Sequence, residues 1–158
     1  MKIVPYSSKF IFDESFIELT HTHLSMQLDK LNFPEPDGKN YNWKDPKNLA
    51  RQMSDEGVLQ GLVLLDDDNK VQGYSLFDIE RNIYTEDYVL SSLALIVSTE
   101  YTNSIWAGKL ILETAKFAKT HGCKYVNWSV NIGTPGQEFF INHPDRYKLI
   151  NQTYLEVL

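Results

Sequence analysis

The sequence predicts a mixed α/β domain in which a central sheet is flanked by helices. Two runs rich in apolar residues, Val58 to Leu65 and Lys70 to Ile79, are separated by the polar turn Asp66 to Asn69 and predict a β-hairpin. A third such run, Tyr88 to Val97, precedes an amphipathic helix and a further strand, Lys124 to Ile132. A strand, a helix and a strand in this order predict a parallel crossover within one sheet.

Composition sets the class of protein. The 158 residues are expected to form one domain spanning 1–158, because a chain of this length buries a sizeable core. A formal net charge of −6 disfavours an extended nucleic-acid surface. No stretch approaches the roughly 18 apolar residues that a membrane span requires. Cys123 is the only cysteine, which excludes an internal disulfide and predicts a reducing, cytoplasmic location.

Three elements are predicted before the hairpin. Residues 2–6 favour a short strand. Asp13 is an N-cap residue for a helix from Glu14 to Leu31, whose buried side carries Phe16, Leu19, His23 and Leu24. Asp45-Pro46 starts a second helix, which ends at Gly57.

After the third strand, apolar and small residues recur with helical spacing up to Gly122, namely Ala107, Leu110, Ile111, Thr114, Ala115 and Ala118. A short helix is predicted at 137–142 and a final strand at 147–158. The small side chains on the long helix allow it to lie close to a sheet.

The stretch from Val97 to Asn131 resembles the GNAT superfamily of acyl-CoA-dependent N-acetyltransferases, and the order of elements extends the resemblance over 58–158. Members typically read V-x-P-x-(aromatic)-[QR]-x-x-G-x-[GA] into a helix. The residues that match in register are Val97, Tyr101, Ala107, the pair Leu110-Ile111 and Gly122. The departures are Thr99, Thr102 and Ile105, which stand where proline, glutamine or arginine, and the first glycine are expected. The resemblance implies a GNAT-like fold.

The resemblance also implies acetyl-CoA or coenzyme A as co-substrate. The implied binding residues are Leu95, Ile96 and Val97 along the pantetheine arm, with Thr102, Asn103, Ser104, Ile105, Trp106, Ala107 and Asn131. The free amides and the dipole of a helix's first turn can hold a pyrophosphate without any particular side chain. Ile105 and Trp106 are bulky, so they either fill the phosphate groove or point into the core.

No catalytic residue is assigned. Relatives use a carboxylate to deprotonate the amine and a tyrosine to protonate the leaving thiolate. Here the strand Tyr88 to Val97 has no acidic residue, and Phe139-Phe140 stands where Phe-Tyr is expected. Tyr147 or a water could replace the tyrosine, and the two phenylalanines are expected to pack in the core.

The other histidine and serine patterns predict neither a metal site nor a serine nucleophile. His21 and His23 diverge by about 200° on a helix, so no metal site is expected. Ser91-Ser92 lacks the glycines of a nucleophile elbow. The aromatic segment Phe33 to Trp43 either borders an acceptor site or docks on the body or another subunit.

Two hypotheses on function remain. The first is an acyl-CoA-dependent N-acyltransferase acting on an amine of a small molecule or protein. The second is a catalytically inactive GNAT-fold protein with a binding or assembly role, for example phage-encoded, and a homo-oligomer or an assembly partner is left open.

Overall fold

The computed structural model describes residues 1–31, 51, 54–57, 59–130 and 135–149. Its elements in chain order are β1 (Lys2–Pro5), a 3-10 helix (Ser8–Phe12), α1 (Glu14–Leu31), β2 (Gln60–Leu65), β3 (Val71–Arg81), β4 (Tyr88–Val97), α2 (Ile105–Thr120), β5 (Cys123–Asn127) and α3 (Pro135–Ile141).

The five strands of the described part form one sheet in the order β1-β2-β3-β4-β5. The pairs β1/β2, β2/β3 and β3/β4 are antiparallel. The pair β4/β5 is parallel, and α2 connects its two strands. The predicted mixed sheet, hairpin and parallel crossover are therefore confirmed.

Local capping determines where the helices before β2 begin and end. Asp13 Oδ1 accepts a hydrogen bond from the Phe16 amide at 3.1 Å, so Asp13 is the predicted cap of α1. The second predicted helix ends as expected, because Gly57 has a φ of +74° and its amide donates to the Ser54 carbonyl. Its predicted start at Asp45-Pro46 lies outside the described residues.

The sheet carries a separate hydrophobic cluster on each face. On the face of α1 the buried residues are Phe16, Val63, Leu65, Val71, Tyr74 and Ile96. On the face of α2 they are Leu62, Phe77, Leu90, Leu110 and Ala118. We call these surfaces of the sheet the α1 face and the α2 face.

Two predictions near the C-terminus are corrected. The strand predicted at Lys124 to Ile132 ends at Asn127, since Trp128 leaves the sheet and packs against Phe140 at 5.5 Å between ring centroids. The strand predicted at 147–158 is absent over 147–149, because the Tyr147 amide donates to the His143 carbonyl and holds a turn. Residues 150–158 lie outside the described residues.

The prediction that Phe139 and Phe140 pack in the hydrophobic core is also wrong. Both side chains are half-buried and belong to neither hydrophobic cluster. They pack edge to face against each other, with 5.4 Å between ring centroids. The pair therefore forms part of a local aromatic group beside α3.

Within the residues that the structure describes, no helix combines the length and the apolar character needed to cross a bilayer.

Candidate functional site

The strands β4 and β5 separate halfway along β4. Their last paired residues are Ser91 and Asn127. Beyond Ser91, β4 continues to Val97 and remains paired with β3 on its other side. Among the described residues, the edge of β4 that faces β5 therefore has unpaired backbone groups over 92–97, and we call the space beside this edge the gap.

A β-bulge lies at the point where the strands separate. Ser92 pairs with Phe77 and Ala94 with Leu76, which leaves Leu93 as the extra residue. An extra residue reverses the side-chain alternation of a strand. Leu90 packs on the α2 face before the bulge, whereas Ile96 packs on the α1 face after it.

The three residues expected along the pantetheine arm are divided by this alternation. Leu95 and Val97 pack on the α2 face, and Ile96 is buried on the α1 face. Backbone groups of all three lie on the unpaired part of β4. Any ligand in the gap would thus contact their main chain on either side of the sheet.

The turn after β4 is held by its own hydrogen bonds. The Ser98 amide donates to the Gln72 carbonyl at 2.9 Å, and Ser98 Oγ donates to Gln72 Oε1 at 3.0 Å. The Thr102 hydroxyl donates back to the Ser98 carbonyl at 3.0 Å. Thr102 therefore stabilises the turn with the hydroxyl that was expected to be available to a ligand, while Asn103 is exposed.

The first turn of α2 is partly occupied. Helix geometry leaves the first four amides, here those of residues 104–107, without an intrahelical acceptor. The Ser104 amide donates to the Tyr101 carbonyl at 3.0 Å. The Trp106 amide donates to Ser104 Oγ at 3.2 Å, so Ser104 is the cap. The amides of Ile105 and Ala107 are the two that these bonds leave for a ligand.

Neither bulky residue at this position enters the core. Ile105 is 72% exposed. Trp106 is half-buried and lies outside both clusters, and Lys109 Nζ lies 4.0 Å from the centroid of its ring. The sequence left two orientations open for these side chains, and the one that points them into the core is wrong.

Negative charge surrounds the turn on the side of the β2–β3 hairpin. Burial raises the pKa of the Tyr101 hydroxyl, and the charges of Glu100, Asp66 and Asp67 raise it further. Hydrogen bonds from the Gln72 side chain and from the Lys70 amide lower the pKa of Asp66, which keeps that carboxylate ionised. An anionic ligand at the start of α2 would meet this field.

A row of polar residues crosses the sheet where β4 and β5 separate, and sequence reasoning missed it. Asp78 pairs with Ser91 across β3 and β4, and Ser91 pairs with Asn127 across β4 and β5. Residues paired directly opposite each other share a face. Since Tyr74 and Leu76 on the same strand contact the α1-face cluster, the period of two places Asp78 on that face too.

Asp78 is the most unusual member of this polar row. Its Oδ1 atom is buried and accepts no hydrogen bond from any residue that the structure describes. Burial, followed by the charge of Glu80, raises the pKa of its carboxyl. The neighbouring Ser91 Oγ donates to Glu80 Oε1 at 2.7 Å instead. The available signal was the alternation of Phe77, Asp78, Ile79 and Glu80 in the sequence, which puts both acids on one face.

The substitute expected for the missing tyrosine lies beside the two phenylalanines. The Tyr147 ring contacts Phe140 edge to face, with 4.7 Å between centroids, and lies 6.0 Å from Phe139. Burial raises the pKa of the Tyr147 hydroxyl. Asn131 lies outside the described residues.

No group of three His, Cys, Asp or Glu side chains suited to a metal ion occurs in the described ranges. Cys123 is a free thiol, half-buried, and burial raises its pKa. A thiol that is harder to ionise is a poorer nucleophile.

Comparison with known proteins gives matches in structure alone. No family model matches the chain, and no curated protein matches it. A mutant of the BH1408 protein from Bacillus halodurans has a TM-score of 0.77 at 11% identity, over 100% of both chains. A ribosomal-protein-alanine N-acetyltransferase from Brucella melitensis biovar Abortus has a TM-score of 0.68 at 11% identity, over 100% of this chain and 99% of the other.

An aminoglycoside acetyltransferase from an uncultured soil metagenomic sample, solved with trehalose, has a TM-score of 0.69 at 18% identity, over 99% of this chain and 96% of the other. At such low identities the similarity establishes the fold. The mixed sheet with its separating strands and crossover helix is therefore the GNAT-like fold, and this chain is a GNAT-fold protein.

Proposed function

We propose that the protein is an acyl-CoA-dependent N-acyltransferase that transfers an acetyl group from acetyl-CoA to an amine. The observation that carries this proposal is the separation of β4 from β5 after Ser91, which leaves an unpaired strand edge leading to the capped start of α2. An extended ligand with amides along its length and a pyrophosphate at one end has the chemistry to fill both parts.

The pantetheine arm would lie along the unpaired edge of β4 at Leu95, Ile96 and Val97. An extended chain with peptide-like amides can pair with an exposed strand edge as an added strand does. The bulge at Leu93 supports this arrangement, because bulges re-aim a strand and end its pairing beside binding sites.

The pyrophosphate would lie at the first turn of α2. The amides of Ile105 and Ala107 are its first donors, and the Trp106 amide becomes a third if the phosphate displaces Ser104 Oγ. Asn103 adds an exposed amide side chain, and Lys109 lies over the Trp106 ring one turn into the helix. Main-chain amides would supply most of the hydrogen-bond donors to the phosphates, without the extra space that glycines provide in glycine-rich relatives.

Catalysis would rest mainly on holding amine and thioester together. Correct placement of two reactants can supply about 7–11 kcal/mol of the barrier in favourable cases. The amine acceptor belongs to a small molecule or to a protein. Both kinds appear in the names of structural neighbours, an aminoglycoside acetyltransferase and a ribosomal-protein-alanine N-acetyltransferase.

A second candidate function is a GNAT-fold binding or assembly protein without catalysis. The acidic surroundings of Tyr101 favour it, because Glu100, Asp66 and Asp67 oppose an anionic ligand near the start of α2. The engagement of the Thr102 hydroxyl within the turn favours it as well.

Calorimetric titration with acetyl-CoA separates the two functions. We expect the wild type to bind weakly and Ile105→Gly to bind more tightly, since the exposed Ile105 side chain crowds the place where phosphate would approach. The matched control is Leu112→Gly, a partly exposed position two turns further along α2, which has a similar helix cost of up to about 1 kcal/mol and no expected effect on binding.

Thermal unfolding gives an independent measure. A ligand at 100 times its Kd adds about 2.7 kcal/mol of stability to the folded state. Undetectable binding at millimolar acetyl-CoA by both the wild type and Ile105→Gly would contradict the acyltransferase proposal and favour the non-catalytic one.

A further inference from the structure

We propose that Asp78 is the proton acceptor for the incoming amine, which reaches the reaction centre from the α1 face at the point where β4 and β5 separate. The inference rests on the proposed acyltransferase function and assigns a residue to its chemical step. Asp78 lies on β3. The sequence alone assigned no base because β4 has no acidic residue.

The position of Asp78 is the first argument. It pairs with Ser91, and Ser91 in turn makes the last β4/β5 pair with Asn127. Adjacent strands lie about 4.8 Å apart, so the Asp78 main chain lies about one strand spacing from the end of the gap that would hold the thioester. A carboxylate on the shared face, with its side chain directed out of the sheet, can reach an amine that enters there.

The state of the Asp78 carboxyl is the second argument. A buried carboxylate oxygen without a partner is costly to folding. Ser91 Oγ lies on the neighbouring strand, yet it donates to Glu80, and no other described side chain donates to Asp78 Oδ1. Asp78 is half-buried, so this oxygen is shielded from bulk water and is available for a proton or for a ligand donor.

The step balances without any further reactant. The nitrogen of the neutral amine attacks the carbonyl carbon of the thioester, and a C–N bond forms as the C–S bond breaks. One proton on nitrogen passes to the carboxylate of Asp78, and the electron pair of the C–S bond leaves with the coenzyme A thiolate. The thiolate and protonated Asp78 then return to their ordinary protonation states by exchange with solvent.

The groups around Asp78 determine how its titration is measured. Glu80 on the same strand acts on it directly. The facing residues of β4 and β5, Ser91 and Asn127, do not titrate in the accessible range. On α1, His23 follows Leu19 by one helical turn and carries a second ionisable side chain. A pH profile alone would therefore not identify Asp78, and a variant is required.

The test compares Asp78→Asn with Glu80→Gln, a matched control on the same strand and face. Acyl transfer from acetyl-CoA to a panel of primary amines (spermidine, an aminoglycoside and an alanine-terminated peptide) is followed by thiol release across pH 5–9. We expect Asp78→Asn to lower kcat/KM for the amine by about 10²- to 10⁴-fold with an unchanged Kd for acetyl-CoA. Because the Glu80 charge raises the pKa of Asp78, Glu80→Gln should move the pH-dependent step to lower pH and leave the high-pH value of kcat/KM within about threefold of the wild type.

Two further readouts separate a catalytic from a structural role. In the wild type, kcat/KM should rise with pH through a step above the usual carboxyl range, because deprotonated Asp78 is the active form and burial raises its pKa. That step should be absent from Asp78→Asn. At pH 7 the variant should melt at or above the wild-type temperature, because a half-buried carboxylate with a shielded oxygen is removed.

Distinct results overturn the two proposals. If the wild type transfers acetyl groups and Asp78→Asn does so equally well, the assignment of Asp78 is wrong and the function stands. The assignment is also wrong if Asp78→Asn melts well below the wild type and loses acetyl-CoA binding. If the wild type transfers to none of the amines, the function itself fails, and the role of Asp78 fails with it.

Discussion

The two halves of β4 are both rich in apolar residues and lie in different environments. Tyr88 to Ser91 pairs on one side with β3 and on the other with β5, whereas the half from Ser92 to Val97 pairs with β3 alone. The bulge at Leu93 lies near the boundary between them. The doubly paired half joins β3 to β5, and the singly paired half has the free backbone edge along which the proposed ligand would lie.

Deletion of Leu93 should have the largest effect on this comparison. Without the extra residue, Ile96 would turn from the α1 face to the α2 face, and Leu95 and Val97 would turn the opposite way. Each large apolar side chain displaced costs roughly 1.5–3 kcal/mol, so the total approaches the 5–15 kcal/mol that stabilises a typical domain. Circular dichroism and urea unfolding measure the loss.

The control for the deletion is Leu93→Ala, which keeps the residue count. The deletion variant could instead melt within about 4 °C of the wild type, which is equivalent to about 1 kcal/mol in a domain of this size. The bulge would then not determine which face of the sheet the side chains of residues 94–97 occupy.

The next effect compares one leucine from each side of the boundary. Leu90 is fully buried in the α2-face cluster, whereas Leu93 is 50% exposed. We expect Leu90→Ala to cost about 2–5 kcal/mol of unfolding free energy, and Leu93→Ala to cost less than about 1.5 kcal/mol. Equal costs in urea unfolding would remove the distinction between the two halves.

A smaller loss of stability is expected at Trp106, which lies in the first turn of α2, after the singly paired half of β4. Its half-buried ring and the contact with Lys109 predict a loss of about 1–3 kcal/mol for Trp106→Ala, below the roughly 3–5 kcal/mol of a core aromatic. Thermal unfolding of Trp106→Ala and Lys109→Met measures the ring and the cation separately. A loss above about 4 kcal/mol would mean that the ring belongs to the core.

The smallest stability effect comes from the cap of α2. Ser104→Ala removes the acceptor of the Trp106 amide and should cost about 1 kcal/mol. Ser104→Asp keeps the cap and should restore that stability, but its charge should weaken acetyl-CoA binding if phosphate lies there. Unfolding and calorimetry on the pair check both expectations, and unchanged acetyl-CoA affinity in Ser104→Asp would place the phosphate elsewhere.

Most of the candidate site could be reached from the sequence because it lies on local elements. The strand Tyr88 to Val97 and the register of α2 follow from apolar periodicity, which acts within a few residues, whereas the structure identifies Ser104 as the cap. The polar row Asp78, Ser91 and Asn127 could not be reached in this way, because its members come from three strands and meet only through their pairing.

By itself the sequence determined the order of the strands from β1 to β5, the bounds of α1 and β4, the parallel crossover and the resemblance that the fold confirms. These features depend on hydrophobic periodicity, caps and turns, which are encoded by neighbouring residues. The tertiary structure alone decided the bulge at Leu93, the separation of β4 from β5, and the meeting of Asp78 with Ser91. Strand register is set by pairing between distant segments, and the apolar run from Tyr88 to Val97 carries no mark of where one partner strand ends.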